Sequence, residues 1–163
     1  MSIVVADAGP PHYLVLIDAI DLLPRLFGKV VIPDVVRAEL SRPRTPSPVR
    51  AWLASSPPWL ESRSAPTAQT PLSPRLGAGE RAAIALAQAI GATLILMDDR
   101  AGVAAARSQG LAATGTLGVL ARAAAQGVVD LPMALARLKA TNFRYRPQLL
   151  DELVARHRKG DRP

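Results

Sequence analysis

The chain has no cysteine, two histidines and only 4% aromatic residues. Without cysteine there are no disulfides and no thiolate metal sites, which suits a reducing compartment. His12 and His157 are too few for a zinc site and read as structural or solvent-facing side chains. With so few aromatics, the core must be built from Ala, Leu, Val and Ile. No apolar run approaches the roughly eighteen residues of a membrane span, so no membrane partner is expected. The N-terminal Met1-Ser2-Ile3-Val4-Val5-Ala6-Asp7 has neither the basic start nor the long apolar stretch of a signal peptide. The expected location is the cytoplasm. Acidic residues are also scarce: 13 among 163, against a net charge of +7.

What is present fits one α/β domain over 1–163. Apolar residues make up 49% of the chain, enough for a sizeable core at this length. Lysine occurs only at Lys29, Lys139 and Lys159, so 17 of the 20 basic residues are arginine, the side chain that grips phosphate bidentately. The segment 130–163 reads as helical and basic. Its last 27 residues carry Arg137, Lys139, Arg144, Arg146, Arg156, Arg158, Lys159 and Arg162 against Asp151, Glu152 and Asp161. Such a tail is either a phosphate-contacting surface or a solvated terminal helix.

Short apolar runs at Ile3–Ala6, Val30–Ile32, Thr93–Met97 and Leu111–Thr114 read as buried strands. Helical patterns fall between them, at Tyr13–Leu23, from Pro33 to Leu40, Glu80–Ala89, Ala101–Gln109 and Leu117–Gln126. Two more are expected near Asp130 and Pro147. The stretch 43–75 holds eight prolines and reads as an irregular excursion. Within it, a short helix at 48–55 and a strand or packing segment at Trp59-Leu60-Glu61 are expected; a lid, a partner-binding segment and a loosely ordered loop are its alternative roles. The alternation predicts a three-layer α/β/α sandwich around a central parallel sheet.

Five carboxylates stand at suggestive points. Asp7 ends the first apolar run and the pair Asp98–Asp99 ends the third, while Glu39 and Glu80 lie in helical stretches. In an open parallel sheet, ligands bind beyond the carboxyl ends of the strands, where strand order reverses. Acids gathered there would repel one another unless a hard cation joined them. Mg²⁺ and Mn²⁺ take such oxygen ligands and support phosphodiester hydrolysis. Each acid also has a plainer reading. Asp7 suits a turn, Glu39 pairs with Arg42 three residues on, Glu80 suits a helix start, and one of the Asp98–Asp99 pair suits a helix cap. Arg100, beside the pair, is either a phosphate contact or a surface salt-bridge partner.

Five segments carry a family resemblance: Asp-x-Gly-Pro at 7–10, LLPRLFGKVVIPDVVRAEL at 22–40, LGAGERAAIALA at 76–87, LILMDDR at 94–100 and TGTLGVL at 114–120. With them the chain resembles PIN-domain proteins. The resemblance implies a Mg²⁺- or Mn²⁺-dependent ribonuclease, often a VapC-type toxin, with RNA as substrate, a cognate antitoxin as partner and a homodimer as assembly. It implies catalytic roles for Asp7, Glu39, Glu80 and Asp99. Asp7, Asp99, Asp98 and Glu80 are the implied metal ligands, with Asp98 the less certain neighbour of Asp99. Thr116 is an implied hydroxyl near the metal or scissile phosphate. Ala8 stands where the family commonly has a hydroxyl residue, and Pro11-His12 replaces an apolar pair. Two other classes compete. One is a catalytically silent nucleic-acid-binding module. The other is a phospho-receiver-like domain, disfavoured because the acidic pair comes late and no lysine lies between Lys29 and Lys139.

Overall fold

The computed structural model describes residues 2–68 and 71–160. Asp161 and Arg162 of the basic tail and positions 69–70 of the proline-rich stretch lie outside the described residues. Five parallel strands form the sheet: β1 (Val4–Ala6), β2 (Val30–Pro33), β3 (Leu60–Arg63), β4 (Leu94–Leu96) and β5 (Ala113–Thr114). Their order is β3-β2-β1-β4-β5, with Val4 opposite both Val30 and Leu94. The chain steps outward from β1 to one edge, then returns to build the other. The crevice between β1 and β4 is therefore the point where strand order reverses, the expected place for a ligand.

Successive side chains of a strand point to opposite faces, and the two halves of the core follow that alternation. Val4, Ala6, Val30, Ile32, Leu94 and Leu96 face one layer; Val5, Val31 and Ile95 face the other. The first layer takes α1 (Gly9–Leu16), α2 (Leu22–Phe27), α3 (Asp34–Leu40), α4 (Ser47–Ala54), α7 (Thr116–Ala125) and α8 (Leu131–Lys139). The second takes α5 (Ala78–Ile90) and α6 (Arg100–Ser108). The final helix, α9 (Pro147–Gly160), packs on α7 and α8. Burial of each central Val, Leu or Ile contributes about 1.5–3 kcal/mol, and strands wrapped on both sides this way read as continuous apolar runs.

The sequence reading and the structure differ over the first helix. The helix expected over Tyr13–Leu23 begins earlier, at Gly9, because Pro10 and Pro11 suit a first helical turn that needs no N–H donors. It also breaks in two at Asp18, whose φ of 59° is left-handed. The stretch 43–75 contains the short helix and the strand expected within it. It holds α4, and β3 pairs in parallel with β2 over Val30–Pro33, with Trp59 packed against Trp52 at a ring distance of 5.9 Å. At Gly91 a left-handed turn (φ 66°) ends α5, a conformation glycine adopts without a Cβ penalty.

Candidate active site

Asp7 follows β1, and its backbone N–H donates to the Leu96 carbonyl at 2.8 Å, locking the ends of β1 and β4 together. Only 6% of the residue is exposed. The Ala8 N–H faces its carboxylate, but Oδ1 is buried and has no hydrogen-bond partner among the described residues. An unsatisfied buried acceptor costs about 1–3 kcal/mol. Burial, then the neighbouring charges of Glu80, Glu39 and Asp98, push the Asp7 carboxyl up to about 7; the Ala8 N–H opposes them.

Glu39 and Glu80 reach this point from α3 and α5. Glu39 lies against Gly79 and Glu80 against Gly77, the glycines of the Gly-Ala-Gly-Glu segment. A Cβ at Gly79 would lie 2.7 Å from Glu39 Oε1 and 3.1 Å from Asp7 Oδ1. Glycine there lets two carboxylates approach the N-terminus of α5, whose free N–H groups and dipole favour negative charge. The Gly79 N–H bonds Glu39, whose carboxyl is nonetheless raised by burial and by Glu80, with Arg42 opposing. Glu80 folds back against Gly77, as acids in the third helical position do.

Asp98 closes the far side. A Cβ at Gly9 would meet its Oδ2 at 2.9 Å, so Asp98 abuts the loop that carries Asp7. It is held from below by Thr116, whose N–H donates to Oδ1 at 2.6 Å and whose Oγ1 donates to Oδ2 at 2.7 Å. Burial raises the Asp98 carboxyl, and both Thr116 bonds oppose the shift. Gly115 gives this contact its room, since any Cβ there would run into Asp98 Oδ1.

Of the acidic pair, Asp98 lies nearer Asp7. Asp99 is exposed and caps α6, its Oδ2 accepting from the Gly102 N–H at 2.8 Å. It does not figure among the charges acting on Asp7, whereas Asp98 does. Thr116 stands against one of the implied metal ligands. It is fully buried and spends its hydroxyl on Asp98, so it orients a carboxylate rather than facing substrate. Arg100 is exposed at the start of α6. The structure thus gathers Asp7, Glu39, Glu80 and Asp98, with Asp99 at the rim beside Glu80: a Cβ at Gly102 would lie 3.3 Å from Glu80 Cγ and 3.4 Å from Asp99 Oδ2.

Among the described residues, no three acidic or imidazole side chains stand close enough to form a ready-made metal cage. The donor set still suits a hard cation. It consists of oxygens alone, one of them buried and unsatisfied, and Mg²⁺ binds with one or two carboxylates plus waters and phosphate. A family model described as a PIN domain, DUF3368, matches residues 3–159. The chain belongs to the PIN-domain family. No curated protein and no solved structure matches it. PIN domains are generally nucleases that use divalent ions, and the PIN match spans every strand and all four gathered acids. No helix among the described residues is long and apolar enough to cross a membrane.

The site also contains a feature that motif reading passed over. Beyond Asp98 a groove of about 930 Å³ runs between α6, α7 and the start of α9, with Tyr145 on its wall. The Arg144-Tyr145-Arg146 triplet was its only sequence signal, and the basic tail masked it.

Proposed function

We propose that the chain is a Mg²⁺- or Mn²⁺-dependent endoribonuclease. The observation that carries this reading is the orphaned Oδ1 of Asp7, buried at the switch point of a PIN sheet and faced by three further carboxylates. Asp7 and Asp98 are the residues that would hold the ion, with Glu80 beside them. When bound, the ion supplies a Lewis acid that activates water and offsets charge on the scissile phosphate. Glu39, held by the Gly79 N–H beside Asp7 Oδ1, would orient water there. Thr116 keeps Asp98 in place through two hydrogen bonds. Arg100 offers a cation to the phosphate at the rim.

The motif resemblance to VapC-type proteins extends the proposal to a cytoplasmic toxin, homodimeric and held inactive by a small antitoxin. Co-expression with the product of the neighbouring reading frame tests that part: relief of growth arrest supports it. For the chemistry, single-stranded RNA is incubated with Mg²⁺ or Mn²⁺. Cleavage by the wild type and loss of at least about 100-fold in Asp7→Asn is the expected result, since removing one anchor of transition-state charge typically costs 10²–10³. Tight RNA binding without cleavage in any divalent ion overturns it in favour of a silent binding module.

A further inference from the structure

We infer that the groove beyond Asp98 is the track for a single RNA strand, with Tyr145 as a platform for one unpaired base. The inference rests on the nuclease reading and extends it to the substrate. The groove begins at the acidic site, since Asp98 and Arg100 form its near end. Arg144 and Arg146 stand along it, on either side of Tyr145. None of the three arginines makes an ion pair or side-chain hydrogen bond among the described residues. All three residues are exposed, and although the charge of Arg144 also acts on the Tyr13 hydroxyl, each guanidinium keeps its hydrogen-bond donors for phosphate. Two carboxylates also line it, Asp98 at the near end and Glu152 on the wall, so away from the acidic site Arg144 and Arg146 face Glu152 alone.

Tyr145 is 36% exposed, and no ring contact of the described residues involves it. Its neighbour Phe143 is committed, packing edge-on against Tyr13 at 5.0 Å. In a chain so poor in aromatics, a ring left open between two free arginines matches the arrangement that binds single strands. Cations follow the backbone, and the aromatic face takes a base regardless of its identity. A duplex hides its base faces and offers Tyr145 nothing to stack on. The occupant is therefore unpaired RNA. It runs from the carboxylates, which need a phosphate beside them, outward over the start of α9.

The test is fluorescence anisotropy of the full chain with a labelled single-stranded oligoribonucleotide of about 12 nucleotides, in EDTA, over a range of salt. Tyr145→Ala is expected to weaken binding by about 5- to 100-fold, as loss of one stacked base does, while Tyr145→Phe keeps wild-type affinity. The double variant Arg144→Ala/Arg146→Ala is expected to lower the slope of log affinity against log salt by about 1.4, from about 0.7 per phosphate contact on a single strand. Arg25→Ala/Lys29→Ala serves as the charge control. Both residues are exposed, and they lie by the amino end of β2, away from the carboxyl ends of the strands where the groove begins. Circular dichroism and melting curves confirm that each variant folds. Wild-type affinity and slope in the groove variants overturn the inference and leave the groove to a partner peptide. An equal slope loss in the control does so too, as does equal competition by a duplex. Cleavage is scored separately in Mg²⁺ and Mn²⁺. If the wild type never cleaves but the binding pattern holds, only the nuclease reading fails.

Discussion

Asp7 is a carboxylic acid held where its charge is opposed by burial and by three other carboxylates, and its pKa of about 7 has a consequence for stability. An acid whose folded pKa lies above its unfolded value holds its proton more tightly in the native state. Its contribution is fully present below the unfolded value of 3.8 and is lost as pH rises to about 7. At 1.36 kcal/mol per pH unit, that loss is about 4 kcal/mol. Glu39 and Asp98 are shifted the same way. His12 acts oppositely: burial lowers its pKa, so its contribution is present above 6.5 and lost as pH falls below that value. Asp7→Asn isolates the first group from the rest. The metal-free wild type is expected to lose thermal stability between pH 4 and pH 8 relative to Asp7→Asn, which melts several degrees higher at pH 8. Melting curves of the two proteins across that range check it, and parallel pH profiles would sink the assignment.

At the scale of the element, the turn after β4 separates two adjacent acids into two jobs. Strand-end neighbours point to opposite sides, so a strand ending one residue earlier or later exchanges which acid enters the cleft. The sequence reading extended this strand to Met97, whereas β4 ends at Leu96; spacing alone could not rank Asp98 against Asp99. The other elements show the same division. β1, β2 and β4 are buried on both faces and announced themselves as apolar runs. β3 is an edge strand of Leu-Glu-Ser-Arg, partly exposed along its length, and it carries no such signature. Glycines at 77, 79 and 115 were visible as a motif, but their purpose, making room for carboxylates, is a tertiary fact. The two roles of the pair give a clean contrast. Asp98→Asn weakens a charge facing Asp7 and is expected to cut cleavage by about 100-fold or more. Asp99→Asn keeps a competent cap, since asparagine caps as well as aspartate, and is expected to retain activity. Asp99→Ala loses the cap for about 1 kcal/mol, a fall of about 2–4 °C in Tm. Equal loss of cleavage in Asp98→Asn and Asp99→Asn would return Asp99 to the site.

Taken whole, the molecule is a basic protein that concentrates like charges at one crevice. The sheet order brings Asp7 and Asp98 together across 90 intervening residues, and α3 and α5 add Glu39 and Glu80 from either layer. Folding without a cation must therefore work against that repulsion and against an unsatisfied Asp7 oxygen. A ligand that binds only the folded state stabilises it by mass action, by about 2.7 kcal/mol at a hundredfold excess over its dissociation constant. For a chain of this size that corresponds to a rise of about 5–10 °C in Tm. Titrating Mn²⁺ into the metal-free protein is expected to raise Tm steadily with concentration. The rise should vanish in Asp7→Asn and Asp98→Asn and persist in Asp99→Asn. Because the readout is melting and not cleavage, it reports on the carboxylate cluster itself. A Tm indifferent to Mn²⁺ in the wild type would mean that the cluster holds its charge by protonation alone, with Asp7 keeping the proton its raised pKa favours.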